Sequence, residues 1–264
     1  MAQKNVWMTW LPRGEGAPQP DATVTALSQV GLGVAGAHWV DDLEKVAWVE
    51  LGGTLLEPNK ADIWLIAGRE ADFEATRNRY GLSMVAAMVG DARETPLPGI
   101  CVGLDFLPDA ASMPLLLRPF QCLNGSEPAW PAKVVALAFG KAGGPSSEEF
   151  RFNVIAHPML GQWFEVGPRA GEWQGVMLGV DGEGTITHHA VGPRGQLPEK
   201  SVLEYPSQGI KAALGDREFT AWSVQNALGP EDSYYVKVDG FPNAMIVGAH
   251  PGSDDTDVIH LELT

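Results

Sequence analysis

The segment ADIWLIAG at residues 61–68 is almost entirely apolar and ends in glycine, which is typical of a strand buried on both faces of a parallel sheet. Residues 70–89 follow with apolar side chains at helical spacing and predict a helix. The segment ICVGLD at residues 100–105 then predicts a second buried strand. A strand, a helix and a strand in this order predict parallel pairing, because the helix serves as the crossover.

The residues that precede this unit extend the same alternation. They predict a strand over 5–12 closed by Pro12, a helix over 22–30 that Asp21 could cap, an apolar stretch over 34–40 closed by Asp41 and Asp42, and helical spacing over 43–56. Strands that alternate with helices are the signature of a doubly wound parallel sheet. We therefore predict a doubly wound α/β domain over residues 1–125.

The second half of the chain has a different pattern. Short apolar runs alternate with turn signals such as DGEG at residues 181–184, and three strands are predicted near the C-terminus. Residues 206–228 are predicted to be helical. We predict an α+β domain with an antiparallel meander over residues 126–264, packed on the first half, with the boundary in the Pro-containing segment 124–131.

The composition excludes several classes of partner. The 264 residues carry a formal net charge of −15 and contain no run of Lys and Arg, so we expect no nucleic acid or anionic membrane as partner. No apolar stretch approaches the length needed to span a bilayer, and the apolar run before Pro12 is too short for the core of a signal peptide. We expect a cytoplasmic protein. With only Cys101 and Cys122, no disulfide framework can be argued.

A glycine motif gives one candidate for cofactor binding. Gly31, Gly33 and Gly36 match the spacing of the dinucleotide fingerprint, and Glu50 lies about where a ribose-binding acid is expected. The glycines would let a pyrophosphate approach a helix N-terminus. The alternative is a helix that ends in glycine and turns into the next strand.

The C-terminal histidines and aspartates give a candidate metal site. His250, Asp254, Asp255 and His260 flank one predicted hairpin, and imidazole with carboxylate ligands suits zinc, manganese or iron. The alternative is a polar turn with two surface histidines. Cys122 is a candidate nucleophile, but no base lies near it in sequence, and a buried unreactive thiol is the common state of such a cysteine.

The order of elements in the first half resembles a Toll/interleukin-receptor (TIR) domain. The resemblance rests on the strand at Val6–Leu11, the acids Asp41 and Asp42 after the second strand, and the strand over 62–67 with the helix that follows it. Catalytically active members carry an essential glutamate for NAD cleavage in that helix, so the resemblance implies Glu74, with Glu70 as the other carboxylate so placed. The Ser-x-Trp-Cys-x-x-Glu type of motif is absent from this sequence.

These observations leave three functional hypotheses. The first is a non-enzymatic cytosolic interaction or regulatory protein with a protein partner or a second copy of itself. The second is a nucleotide-handling enzyme, either a TIR-like NAD glycohydrolase that uses Glu74 or a dinucleotide binder. The third is a metal-dependent hydrolase that uses the C-terminal histidines and aspartates. Whether the chain is an enzyme, and which cofactor it would use, stays open at the level of the sequence.

Overall fold

The computed structural model describes residues 3–93, 95–140, 149–248, 250 and 258–264. They form two compact units. The first contains residues 3–140 apart from residues 44–46, and the second contains those three residues and the described residues from 149 onward. The helix over 130–139 thus belongs to the first unit, which extends beyond the predicted boundary at 125.

The first unit is built on a five-stranded parallel sheet. Its strands are β1 (Asn5–Trp10), β2 (Gly33–His38), β3 (Ile63–Gly68), β4 (Gly99–Gly103) and β5 (Gln121–Asn124), in the spatial order β2-β1-β3-β4-β5. Its helices are α1 (Asp21–Gln29), α2 (Trp48–Leu56), α3 (Glu70–Glu74), α4 (Thr76–Ala92) and α5 (Trp130–Phe139), and short 3-10 turns cover Ala110–Ser112 and Leu115–Leu117. The predicted alternation of strands and helices is confirmed. Among the described residues, no helix combines the length and the apolar character needed to cross a bilayer.

Helices cover both faces of this sheet, which explains why its central strands are apolar throughout. Every residue of β3 is buried. Residues such as Met8 and Leu65 form a core with α1 and α5 on one face. On the other face, the Trp64 indole donates a 2.9 Å hydrogen bond to Thr9 Oγ1 and packs against Phe120 at a centroid distance of 5.4 Å. A buried indole that finds a partner in this way avoids the cost of an unsatisfied donor.

The helix predicted over residues 70–89 is in fact two helices. The backbone of Ala75 is extended, with ψ of 114°, so α3 ends there and α4 begins. The capping box of α3 joins Arg69 to Asp72, and the Asn78 amide of α4 donates to the Asp72 carbonyl at 2.8 Å. These side-chain bonds stabilise the break, which apolar periodicity alone cannot reveal.

The described part of the second unit contains two antiparallel sheets. The strands are β6 (Phe150–His157), β7 (Gly161–Pro168), β8 (Trp173–Val180), β9 (Gly184–Pro193), β10 (Ser207–Leu214), β11 (Arg217–Leu228), β12 (Asp232–Gly240), β13 (Ala244–Gly248) and β14 (Val258–Glu262). One sheet has the order β6-β7-β12-β9 and the other β10-β11-β8-β13-β14. The sheets contact each other where the His189 ring of β9 meets the Trp222 ring of β11, 4.8 Å apart.

The helical prediction for residues 206–228 is wrong. This segment forms the hairpin of β10 and β11, in which Leu214 pairs with Arg217 across a two-residue turn at Gly215 and Asp216. Gly215 has φ of +59°, a conformation that glycine adopts without steric cost. The antiparallel part of the prediction is confirmed. The predicted α+β character is not, because no helix occurs in residues 149–248, 250 and 258–264.

A buried ionic network holds β6, β7 and β12 in register. Arg151 of β6 and Glu165 of β7 are both almost fully buried, and their charged groups approach to 3.7 Å. Glu165 Oε1 also accepts hydrogen bonds from Ser233 Oγ at 2.7 Å and from the Tyr235 hydroxyl at 3.1 Å. The Gly195 amide adds a further bond of 2.7 Å. Several donors thus compensate the desolvated carboxylate, which is the condition for a buried charge to be tolerated.

We predict that Glu165→Ala destabilises the second unit by about 3–5 kcal/mol, because the buried guanidinium of Arg151 would lose its neutralising carboxylate. Urea unfolding followed by tryptophan fluorescence measures the effect. The matched control is Glu262→Ala, which removes the carboxylate of the exposed ion pair with Arg217 and should cost less than about 1 kcal/mol. Equal costs for the two variants would contradict the structural role assigned to the buried network.

Candidate functional site

Charged side chains meet at the carboxyl edge of the parallel sheet. Arg13 follows β1, and Asp41 follows β2. Asp41 accepts from Arg13 Nη2 at 3.2 Å through one oxygen and from Arg77 Nε at 3.0 Å through the other. Both arginine side chains are about two-fifths exposed, at 42% and 43%, so they are held in position and still reach solvent.

Asn78 of α4 links Arg13 to the backbone of α3. It is 2% exposed, its amide donates to the Asp72 carbonyl, and its Oδ1 accepts from Arg13 Nη2 at 3.2 Å. Next to it, Arg69 donates to Asp72 through Nε at 3.1 Å and also through its backbone amide. The cluster therefore joins the connections that leave β1, β2 and β3 through one set of hydrogen bonds.

The glutamate implied by the TIR resemblance lies on α3, close in sequence to this cluster. Glu70 and Glu74 are the first and last residues of the helix, and both side chains are exposed. Phe73 between them is buried and packs edge-on against Phe106 at 5.8 Å. The structure thus places Glu74 on a solvent-facing side of the connection that follows β3.

The glycine motif lies in a helix-to-strand connection. Gly31 has φ of +87° and ends α1: its amide bonds to the Ser28 carbonyl at 3.0 Å, and the Leu32 amide bonds to the Leu27 carbonyl at 3.2 Å. This is the glycine-terminated helix end considered as the alternative above. Gly33 and Gly36 follow within β2, so the glycines lead into a strand, whereas the fingerprint leads into a helix N-terminus.

Two small clefts flank β2, one on each face of the sheet. A cleft of about 150 Å³ lies toward α1 and is lined by Gly36, Val34 and Trp10. A second cleft of about 190 Å³ lies toward α2 and is lined by Glu50 and Trp39 among others. The structure therefore separates Gly36 from Glu50, which the dinucleotide hypothesis would bring to one ligand.

The candidate metal ligands are only partly within the described residues. Asp254 and Asp255 lie outside them. His260 belongs to β14 opposite Ile246, with its ring 6.0 Å from that of Phe219, and its Nε2 is buried without a hydrogen-bond partner in the described part of the chain. Considering residues 3–93, 95–140, 149–248, 250 and 258–264, no group of three or more His, Cys, Asp or Glu could hold a metal ion.

The outer edge of β2 is a feature that sequence reasoning missed. β2 ends the sheet, and its backbone pairs only with β1 within the described residues. The Gly33 amide bonds to the carbonyl of Lys4, which directly precedes β1, and the Trp39 amide bonds to the Trp10 carbonyl of β1. Because backbone groups alternate in direction along a strand, the groups of Val34, Gly36 and His38 point away from the sheet. Residues 35–38 are all exposed.

No protein-family model matches this chain, and no curated protein does so. Among solved structures, a similar one is "Crystal structure of ChBD3 from Thermococcus kodakarensis KOD1", with 15% sequence identity over 42% of this chain and 93% of that chain. The TM-score is 0.23. A likeness at this level transfers neither fold nor function, so the function has to be argued from the geometry above.

We predict that Asn78→Ala destabilises the first unit by about 1–3 kcal/mol, because it would remove the side-chain donor to the Asp72 carbonyl and the acceptor for Arg13 from a buried position. Thermal or urea unfolding measures this cost. The variant Asn78→Asp keeps the acceptor for Arg13 but loses the amide donor to the Asp72 carbonyl. It should also be destabilised, and its charged contact with Arg13 should make its stability more sensitive to salt than that of Asn78→Ala. A neutral Asn78→Ala variant would contradict the organising role of Asn78.

Proposed function

We propose that this chain is a non-enzymatic interaction protein whose first unit associates with a second copy through the outer edge of β2. The observation that carries the proposal is the open backbone edge at Val34, Gly36 and His38. Main-chain donors and acceptors that lie open at a sheet edge are a template for another strand.

The charge distribution supports a second copy as the occupant. Residues 22–40, which include most of α1 and all of β2, contain no Asp, Glu, Lys or Arg, although the whole chain carries a net charge of −15. Natural sheets usually protect an exposed edge with charged residues or proline, and β2 has neither. Depletion of charge is also the compositional mark of the centre of an interface.

The spacing of the open groups is self-complementary. In an antiparallel pair related by a two-fold axis at Gly36, Val34 of one copy faces His38 of the other, and Gly36 faces itself. All three outward-pointing positions then fall on hydrogen-bonded pairs, each of which exchanges two bonds. The small residues of β2 let the backbones approach closely, and an isologous contact of this kind closes at two copies.

A second candidate is a nucleotide ligand at the carboxyl edge of the sheet. The order β2-β1-β3-β4-β5 is that of flavodoxin-like doubly wound folds and agrees with the TIR-like layout, and in such sheets ligands bind outside the carboxyl ends where the order reverses, here between β1 and β3. Arg13 and Arg69 follow these two strands and are each about two-fifths exposed. Guanidinium groups suit phosphate recognition.

We predict that the wild-type chain dimerises at micromolar concentration and that His38→Pro weakens the dimer about tenfold or more, because each copy loses one outward donor. Sedimentation equilibrium measures the dissociation constant. His38→Ala removes the imidazole and keeps the backbone amide, so it should dimerise like the wild type. Since the His38 amide points away from β1, proline there removes no bond of the β1–β2 ladder.

A second pair of variants tests the uncharged edge. Ala37→Lys should abolish the dimer by placing a charge at the contact, whereas Ala136→Lys, at an exposed position of α5, changes the net charge equally and should leave the dimer intact. A monomeric wild type, or a dimer that all four variants form equally well, would overturn the proposed association.

The nucleotide candidate predicts a rise in the melting temperature with NAD, of several degrees at about 100 times the dissociation constant, where binding adds about 2.7 kcal/mol. Arg13→Gln should remove the shift. If the bound NAD is also cleaved, nicotinamide release should be lost in Glu74→Gln and retained in the neighbouring control Glu70→Gln. If NAD produces no shift in the melting temperature and no nicotinamide is released, the nucleotide candidate is excluded. The β2 proposal is not affected by that result.

A further inference from the structure

The two cysteines of the chain lie side by side in the first unit. Cys101 of β4 and Cys122 of β5 are direct partners in the parallel register. Partners in register on parallel strands present their side chains to the same face of the sheet. Neighbouring strands are about 4.7–4.9 Å apart, which lies within the Cα separation of about 4.4–6.8 Å that disulfides span.

The surroundings of the two thiols differ. Cys101 is fully buried in a central strand, whereas Cys122 is partly exposed on β5, the strand at the opposite edge of the sheet from β2. A disulfide from solution can therefore approach Cys122 and not Cys101. Because of this asymmetry, Cys122 is the attacking thiol, which forms the mixed disulfide, and Cys101 is the resolving thiol, which then breaks it.

The electrostatics favour the same assignment. The hydrogen bond from the Cys101 thiol lowers the pKa of Cys122, against the opposing effects of partial burial and of the Asp109 carboxylate. The same hydrogen bond raises the pKa of Cys101 well above its ordinary value, and burial raises it further. The thiolate, which is the nucleophile in disulfide exchange, thus forms more readily on the exposed cysteine.

We propose that Cys122 and Cys101 form a thiol–disulfide exchange site whose substrate is a small disulfide of the glutathione disulfide class. The inference rests on the strand register and on the difference in exposure, and it is independent of the association through β2. The two sites lie at opposite edges of the sheet.

The exchange proceeds in two displacements. The Cys122 thiolate attacks one sulfur of glutathione disulfide, the disulfide bond breaks, and one glutathione leaves as its thiolate. The Cys101 sulfur then attacks Cys122 Sγ and displaces the second glutathione, whose departing sulfur takes up the Cys101 proton. The two protein thiols are oxidised to one disulfide, and glutathione disulfide is reduced to two thiols, so electrons and atoms balance.

Intact-mass measurement after incubation with glutathione disulfide tests the proposal. The wild type should lose the mass of two hydrogens and carry no lasting adduct, and dithiothreitol should reverse the change. Cys101→Ser should retain one glutathione because the resolving thiol is absent. Cys122→Ser should react at least tenfold more slowly than Cys101→Ser, because its remaining thiol is buried.

Peptide mapping of the oxidised wild type, with remaining thiols blocked by N-ethylmaleimide, should find one peptide pair linked through Cys101 and Cys122. This measurement needs no variant and decides the matter if either serine variant fails to fold. An unmodified wild type, a stable glutathione adduct on the wild type, or equal reactivity of the two variants would each overturn the proposal.

Discussion

Strand β1 is hydrogen-bonded on both sides by parallel neighbours, and this double pairing determines where the other parts of the first unit lie. Val6 pairs with Val34 of β2 and with Ile63 of β3. The chain must therefore cross to one side of β1 and then return to the other. The reversal opens a crevice at the carboxyl ends of β1 and β3, where Arg13 and Arg69 follow, and it leaves β2 at an edge. The crevice at the carboxyl edge and the open edge of β2 are both consequences of this one topological choice.

The Glu165 network of the second unit and the Asp41 cluster of the first unit differ in their exposure to water. In the second unit, Glu165 is completely buried and its oxygens are occupied by donors from neighbouring strands and from Gly195, so its role is to hold the strands in register. At the carboxyl edge of the first unit, Arg13 and Arg77 share Asp41, and their side chains remain about two-fifths exposed. Ion pairs that water reaches add little to stability, so we expect breaking the Asp41 pairs to cost less than breaking the buried Arg151–Glu165 pair.

The sequence allowed the first unit to be predicted because parallel strands buried on both faces leave a strong local signal. Residues 63–68 and 99–103 are apolar and buried on both faces of the sheet. The hairpin over 207–228 was missed because its Ala, Leu and Lys residues favour helices, although Gly215-Asp216 between two apolar runs was a usable turn signal. The β2 edge could not be predicted, because strand order is set by pairing between distant segments. The lack of charge from Ala22 to Val40 was its only local trace.

The position of β1 between β2 and β3 also affects the order in which the first unit can fold while it is synthesised on the ribosome. Domains fold as units, and the N-terminal part of a chain emerges first. When β2 has emerged, β1 has one neighbour, but a ribbon of two strands is marginally stable at best in water. Its second neighbour, Ile63–Gly68, is synthesised only after α2. The apolar residues of β1 therefore lack their second neighbouring strand while that stretch is made, whereas the strands of a local hairpin in the second unit, such as β10 and β11, follow one another directly in the chain.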